Sequence, residues 1–389
     1  TTAAIIDGNV TTLIAAVVLY IKGSGTVMGF AQTLAIGIIL SMFTAIFVTR
    51  WILYAFVGLG FDDVKFYGIQ KARKPINFVG NIKKYAIISG CLLLLCIGGL
   101  VMNMVKMGQP LNYSLEFLGG SSTSITFTDY KGEGFDASGN ASADFKNEVT
   151  DVVKSAANVS EAELSDVSGE KTLIVRTPAF TEDQQKKVIS TVVEKYGVSD
   201  KSIEVETISA SVSNEMRMDA IVAVLIAAVG MLIYIWIRFK NLAFGASSVI
   251  ALLHDVMVVL MVYAIGSASI TVGSTFIACM LTIVGYSINA TIVVFDRVRE
   301  NRKKLGNTDL AEIVNTSITE TLSRSFNTSI TTLVMVLCLA VLGVDSIRQF
   351  AVPMMAGIIS GCYSSVCLAG TIWYFMNRSA QKKAKAKKA

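Results

Sequence analysis

The stretch LTIVGYSINATIVVFDRVREN, residues 281–301, decides the class of fold. Its first part is apolar apart from a few polar residues such as Ser287 and Asn289, and its last seven residues are dense with charge. A helix that crosses a membrane and reaches water near Asp296 has this pattern. Polar groups in hydrocarbon are costly, so Ser287 and Asn289 are expected to face other helices or a wet cavity. A polar seam that only holds helices together is an equally open interpretation.

The composition extends this interpretation to the whole chain. Of its 389 residues, 53% are hydrophobic and 16% are charged, whereas soluble domains carry about 25% charged residues. A membrane span needs about 20 apolar residues. Eight stretches qualify: residues 5–21, 29–57, 85–105, 218–237, 245–265, 273–295, 325–343 and 349–376. The sequence therefore predicts a polytopic α-helical membrane protein. Because residue 1 is a threonine and no basic segment precedes the first span, we expect the chain to begin inside a longer one.

The distribution of lysine and arginine between the spans predicts their orientation. The basic connections are 58–84, 296–324 and the tail 377–389. Three short connections carry few charges: 22–28, 266–272 and 344–348. Alternation through eight spans agrees with each of these assignments. We therefore expect a multi-pass protein of the cytoplasmic membrane, with the basic connections and the C-terminus in the cytoplasm and residues 110–216 outside.

Residues 110–216 have the composition of a water-soluble domain. They contain 18 acidic and 9 basic residues, hence a net charge of −9 in a chain whose total is +5. Segments 121–128, 171–177 and 202–208 have strand-like composition, and 144–156 and 181–196 have helical spacing. A small open sheet with two helices on one face is expected. The segment shows no nucleophile, metal cluster or phosphate-binding loop, so we do not expect an enzyme.

The chain contains an internal repeat at an offset of 320 residues. VTTL at 10–13 matches ITTL at 330–333, and the same offset, without a gap, aligns ten identical pairs. They include the pairs Gly23 with Gly343 and Phe30 with Phe350. The first two spans are therefore counterparts of the last two. Tandem repeats related by an axis along the membrane normal are typical of transporters, whose function lies between the halves.

Three stretches resemble one family. GYSINATIVVFDRVREN (285–301) resembles the signature of the SecF part of the SecD/SecF translocation accessory, and LHDV (253–256) matches another SecF span. IDGNVTTLIAA (6–16) is similar to the fifth span of SecD, with Gly8 where alanine is usual. The chain departs from the family at Ala290, where an aspartate is usual.

The resemblance covers nearly the whole chain and implies a domain assignment within the resistance-nodulation-division superfamily. The assignment is 1–57 for the last two SecD-like spans, 58–84 for a cytoplasmic linker, 85–109 for the first SecF-like span, 110–216 for an extracytoplasmic α+β domain, 217–376 for five SecF-like spans, and 377–389 for a basic tail. By symmetry, four spans of the first half are expected upstream.

The resemblance also implies a function and partners. The expected function is an ion-gradient-driven accessory of the Sec translocon that assists preprotein export. The expected partners are the translocon channel with its accessory membrane proteins, unfolded preproteins and the lipid bilayer, without nucleic acid. No cofactor or metal is implied, and the coupling ion is H⁺ or Na⁺. Two alternatives stay open: an exporter of lipids or drugs from the same superfamily, and a scaffold that only steadies the translocon.

The candidate residues for ion translocation are polar or ionisable groups inside predicted spans: Asp7, His254, Asp255, Asn289 and Arg324. In the family, ion flow is attributed to a carboxylate in the fourth SecD span, one at the Ala290 position and an arginine that matches Arg324. Of these three, only the arginine is present here. The alternative for Arg324 is a side chain that extends to the membrane surface.

Two geometric expectations follow. The offset of 320 places Asp7 opposite Asn327, one helical turn from Arg324, so Asp7, Asn289 and Arg324 are predicted to point into the seam between the halves. An Asp7–Arg324 ion pair is compatible with this arrangement but not required by it. His254 and Asp255 are expected not to pair with each other, because neighbours on a helix point about 100° apart. A structural hydrogen bond is the alternative role for this pair.

Overall fold

The computed structural model describes residues 2–23, 25–63, 66, 74–128, 130, 132, 134–136, 139–167, 170–306, 308–343 and 345–386. Among these residues, eight helical segments are long and apolar enough to cross a membrane, which confirms the predicted number. They are Ile5–Lys22, Met28–Gly58, Val79–Met107, Ala210–Arg238, Leu242–Ile265, Ser274–Lys304, Leu310–Leu342 and Ile347–Arg378. Residues 64, 65 and 67–73 of the predicted linker 58–84 and the last three residues of the predicted tail lie outside the described residues.

The chain divides into two compact units, 1–112 with 220–389 and 113–219. The elements of the first unit are α1 (Thr2–Lys22), α2 (Gly25–Phe43), a π-helical turn (Thr44–Val48), α3 (Thr49–Gly58) and α4 (Ile82–Met107). Helix α8 (Ala210–Phe239) begins in the last residues of the second unit and continues into the first unit. The elements that follow are α9 (Leu242–Ile265), α10 (Ser274–Lys304), α11 (Leu310–Leu342), α12 (Asp345–Tyr363), a second π-helical turn (Ser364–Ala369) and α13 (Gly370–Ala386).

The repeat predicted from the sequence agrees with several backbone details. The first helix of one copy ends where the Gly23 N–H donates to the Leu19 carbonyl at 2.7 Å. Its counterpart ends where the Gly343 N–H donates to the Leu339 carbonyl at 2.9 Å. Both glycine and leucine pairs are related by the offset of 320.

The two π-helical turns obey the same offset. Thr44–Val48 in the first copy corresponds to the start of Ser364–Ala369 in the second. The two copies also meet directly, because the rings of Phe30 and Phe350 lie 5.5 Å apart in an edge-on arrangement. A residue that touches its own counterpart lies close to the axis that relates them.

Helix α10 contains residues 281–301. It lies at the centre of the first unit, which we call the membrane unit. It packs against α1, α2, α9, α11 and α12, and most of its apolar residues are buried. Glycines permit two of these close approaches. A Cβ at Gly285 would lie 3.2 Å from Thr12 of α1, and one at Gly357 of α12 would overlap Ile283. Small residues at such contacts let helices in membranes pack closely.

The second unit is a four-stranded antiparallel sheet with helices. Its elements are α5 (Leu115–Leu118), β1 (Gly120–Thr126), α6 (Ala143–Ala157), β2 (Glu163–Val167), β3 (Thr172–Thr177), α7 (Glu182–Tyr196) and β4 (Ile203–Ile208). The strand order is β2-β3-β1-β4. The three predicted strands and two predicted helices are confirmed. Strand β2 was missed because ELSDV lacks the alternation of apolar residues that marks a half-buried strand.

One apolar core holds this unit together. Phe127 is fully buried, and its ring contacts Phe135, Phe145, Tyr130 and Tyr196. The buried residues of α6 and α7 complete the core, which places both helices on one face of the sheet: Phe145, Val149, Val153, Ala157, Val188, Val192 and Tyr196. Helix α7 begins with a capping box between Thr181 and Gln184, a start that the sequence predicts.

Candidate functional site

A small polar cavity lies between α10 and α11 in the membrane unit. Its volume is about 70 Å³, which is enough for a few water molecules. The lining residues come from one face of each helix: Tyr286, Asn289, Ala290 and Val293 of α10, and Arg324, Ser325, Thr328 and Ser329 of α11. The Tyr286 hydroxyl donates to Ser329 Oγ at 3.0 Å and so ties the two helices together at the cavity.

Two of the five candidate residues, Asn289 and Arg324, line this cavity together with Ala290. Arg324 is exposed, and within the described part of the chain its guanidinium makes no hydrogen bond or ion pair. Next to it, Ala290 contributes a methyl group where a carboxylate would face the guanidinium. The cavity therefore has a cationic side chain and several hydroxyls, and its one ionised group is Arg324.

Asn289 also contacts the first repeat. A Cβ added at Gly8 of α1 would lie 2.0 Å from Asn289 Oδ1, so the amide occupies the space that an alanine side chain would fill. The glycine at position 8 therefore lets the Asn289 amide press against the α1 backbone. This contact joins the cavity wall on α10 to the first copy of the repeat.

Asp7 lies near the seam but not in the cavity. Asp7 is buried, and its carboxylate accepts hydrogen bonds from the Tyr234 hydroxyl at 2.8 Å and from Arg238 Nε at 2.6 Å. Arg238 also approaches Asp296 of α10, with 4.0 Å between Nη2 and Oδ1. Asp7 thus pairs with Arg238 and not with Arg324, and the pair joins α1 to α8.

Tyr234 and Arg238 are functional candidates that the sequence analysis missed. They are four residues apart on α8 and so lie on one helical face. Arg238 stands at the end of an apolar run, and such an arginine is commonly a marker of the membrane surface. The presence of a tyrosine one turn before it is a signal that could have indicated a carboxylate partner.

The prediction that His254 and Asp255 do not pair is wrong. His254 Nδ1 lies 3.2 Å from Asp255 Oδ1. The 100° between their directions does not separate them, because the imidazole reaches sideways along the helix surface toward the neighbouring carboxylate. Both groups are buried, with exposures of 7% and 0%. The structure places them on α9, where they face α12 and another face of α10, away from the cavity.

Polar contacts also lock α10 to α11 beyond the cavity. Arg297 Nε donates to Glu320 Oε2 at 2.7 Å, and Asn301 Nδ2 donates to the same oxygen at 2.6 Å. The segment before α4 is fixed to α11 as well, since the N–H groups of Phe78 and Val79 both donate to Asn315 Oδ1. The cavity is thus bordered by a fixed helix pair on one side.

Comparisons with known proteins show to which family the chain belongs. Residues 188–379 match the family model described as protein export membrane protein SecD/SecF, C-terminal. The protein translocase subunit SecF of Thermodesulfovibrio yellowstonii is 32% identical over 308 residues, which are 78% of this chain and 96% of that protein. The chain belongs to the SecD/SecF family. Its fold is that of a polytopic membrane protein of this family.

Longer relatives match as well. The protein translocase subunit SecDF of Bacillus subtilis is 32% identical over 95% of this chain and 50% of its own length. The crystal structure of SecDF from Thermus thermophilus, described as a translocon-associated membrane protein, matches with a TM-score of 0.80 and 30% identity. The match covers 96% of this chain and 48% of the Thermus thermophilus SecDF chain. The chain thus spans about half the length of the SecDF proteins it matches.

Proposed function

We propose that the chain is part of an accessory of the Sec translocon that assists preprotein export across the cytoplasmic membrane. In this proposal an H⁺ or Na⁺ gradient drives a change between the two repeat-related halves, and the outer unit 113–219 transmits it to the emerging preprotein. The names of the relatives support the Sec pathway over an exporter of lipids or drugs. The basic connections support a cytoplasmic location of the C-terminus.

The observation that carries the proposal is the position of Arg324. An arginine within a membrane-spanning helix is costly unless it faces a partner or a wet cavity. Here Arg324 lines a polar cavity, and the opposite wall, through Asn289, contacts the first repeat at Gly8. A charge at the contact of the two halves responds to any ion that enters the cavity. This is the arrangement that coupling requires.

Ala290 favours a second candidate function, a scaffold that steadies the translocon without transport. The alanine methyl cannot take up a proton, and the hydroxyls and amide of the cavity cannot do so at physiological pH. If no other group binds the coupling ion, the cavity is a structural remnant. The two candidates differ in one property, the dependence of export on the ion gradient.

In the test, the protein is expressed from its native gene in cells that lack other SecD/SecF proteins. Co-purification with the translocon is expected for both candidates and contradicts an exporter. Preprotein export is then measured in membrane vesicles with and without an imposed ion gradient. If the chain couples the gradient, Arg324→Ala removes most of the stimulation.

Arg348→Ala is the matched control, because Arg348 is exposed and lies at the start of α12, outside the cavity. It is expected to keep the stimulation of the unmodified protein. Equal export with and without the gradient in the unmodified protein would reject ion coupling and favour the scaffold.

A further inference from the structure

The buried Asp255 carboxylate is surrounded by hydrogen-bond donors from three helical elements. Ser287 of α10 and Ser364 of the second π-helical turn donate to Oδ2 at 2.5 and 2.6 Å. Ser360 of α12 donates to Oδ1 at 2.6 Å, and His254 Nδ1 lies 3.2 Å from the same oxygen. We call Asp255 and these three serines the serine cage.

Gly361 of α12 lies close to this carboxylate, and a Cβ there would make ordinary van der Waals contacts with the cage. A Cβ at Gly361 would lie 3.4 Å from Ser287 Cβ and 3.8 Å from Asp255 Oδ2. The π-helical turn that follows begins with Ser364 and so turns its hydroxyl toward Asp255. Its counterpart in the first repeat begins with Thr44, whose hydroxyl donates to the Leu40 carbonyl of its own helix. Among the described residues of the first copy, the start of the π-helical turn thus contacts its own helix and no carboxylate.

The surroundings of Asp255 offer enough donors for an ionised carboxylate. An ionised carboxylate has about four lone-pair positions, and each oxygen here has two neighbouring donors. A protonated carboxyl would need an acceptor for its own hydrogen, and one of these donors would have to turn away. Hydrogen bonds to the charged form favour that form. The cage therefore fits an anion, held inside the membrane unit.

A buried anion needs a compensating positive charge. Among the described basic side chains, His254 is the one within ion-pairing distance of Asp255. Its Nδ1 faces the carboxylate and so carries a hydrogen, while its buried Nε2 has no hydrogen-bond partner within the described residues. A neutral imidazole with this orientation leaves a lone pair on Nε2. A proton at Nε2 would make the pair neutral overall.

We propose that His254 Nε2 is a proton-binding site, and that Asp255 in its serine cage is the fixed anion that stabilises the imidazolium. One N–H bond forms when a proton enters, and the same bond breaks when it leaves. The other titratable groups packed around the imidazole are Tyr363 of α12, whose ring centre is 5.8 Å away, and, beyond it, Tyr85 of α4 and Cys367. Helix α10 contributes Ser287 of the serine cage.

The inference rests on the proposed function, because it names the coupling ion as H⁺ and supplies an acceptor that Ala290 lacks. Proton uptake would change the charge at a point where α9, α10 and α12 are joined by hydrogen bonds. Helix α10 also carries Asn289 and Ala290, which line the cavity on a different face. A shift of α10 caused by His254 would therefore reach Arg324 without any carboxylate at position 290.

The sequence offers a direct test, because His254 is the only histidine of the chain. The protein is labelled with ¹⁵N-histidine, purified through a histidine-free tag, placed in lipid nanodiscs and measured by solid-state NMR. Spectra are recorded at about pH 9 and about pH 5, on either side of the ordinary range of imidazole. The proposal expects the neutral form protonated at Nδ1 at the higher pH and the imidazolium at the lower.

Two variants identify the cause. In Asp255→Asn, the ratio of imidazolium to neutral imidazole at about pH 5 is expected to fall at least about tenfold, because the opposite charge is lost. Ser248→Ala is the matched control, since Ser248 is a buried serine of α9 that donates to the Phe244 carbonyl. Its spectra are expected to equal those of the unmodified protein.

Several results would overturn the proposal. They are an imidazole that stays neutral at both pH values, a neutral form protonated at Nε2, and an unchanged imidazolium ratio in Asp255→Asn. A shift of the resonances when sodium replaces choline at about pH 9, without a response to pH, would show a metal cation in the cage instead. If Asp255→Asn does not fold, the spectra of the unmodified protein still decide. The measurement requires no translocon, so its outcome is independent of the co-purification test.

Discussion

Replacement of Asp7 by asparagine removes the negative charge that joins α1 to α8 and keeps the size of the side chain. The Asp7 side chain is 8% exposed and that of Arg238 is 24% exposed. The pair thus lies between buried ion pairs, where loss of one partner costs about 3–5 kcal/mol, and surface pairs worth about 0–1 kcal/mol. Asp296, 4.0 Å from Arg238, offers the arginine another partner and reduces the loss. We expect Asp7→Asn to lower the free energy of unfolding by about 2 kcal/mol, a roughly thirtyfold change in the equilibrium constant.

The assay is a double-mutant cycle in which the free energy of each variant is measured by reversible unfolding in mixed micelles. Asp7→Asn, Arg238→Gln and the double variant are compared, and the double variant is expected to cost little more than either single one. The coupling energy should be about 1–2 kcal/mol. A second cycle with Asp7→Asn and Arg348→Gln serves as the control, and these two changes should be additive within about 0.5 kcal/mol. Additive effects of Asp7→Asn and Arg238→Gln would refute the reasoning.

Three further predictions concern the topology, the cavity and the second unit. In a cysteine-free background, Ser190→Cys should react with an impermeant thiol reagent outside intact cells, and Lys303→Cys only after permeabilisation; the reverse pattern would refute the orientation. Ala290→Asp should fold and express normally, because position 290 lines a polar cavity beside Arg324, and it should raise the pH sensitivity of export; severe loss of expression would mean a dry site. Phe127→Ala should destabilise the second unit by about 3–5 kcal/mol, because its fully buried ring is lost from the core. A thermal shift within error would show that this core does not limit the stability.

Patterns that repeat along the chain made the fold predictable. Eight apolar stretches correspond to the eight candidate membrane spans, and the matching residues 10–13 and 330–333 indicated the repeat. The two helices of the second unit were predicted from their spacing. Strand β2 was not predicted, because an edge strand with acidic residues need not alternate. Hydropathy and local propensity determine these features, and both can be read within a short window.

The candidate site was predicted less completely, because its contacts join residues far apart in the sequence. Arg238 pairs with Asp7 across 231 positions, and no local pattern indicates this partner. Ser360 and Ser364 reach Asp255 because α12 and the π-helical turn after it lie close to α9. Single serines in apolar helices carry little information until the packing is known. Asn289 and Arg324 were identified correctly as neighbours of one cavity, although their role in coupling stays a prediction.

The contact between Phe30 and Phe350 has a mechanical consequence. These rings are counterparts in the repeat, and they touch at a centroid distance of 5.5 Å, so they lie beside the axis that relates the two halves. When two bodies rotate about such an axis, points on it stay in place and displacement grows in proportion to the distance from it. If the two copies rotate about this axis, the phenylalanine pair moves little. A side chain farther out travels farther for the same angle, as the end of a lever does.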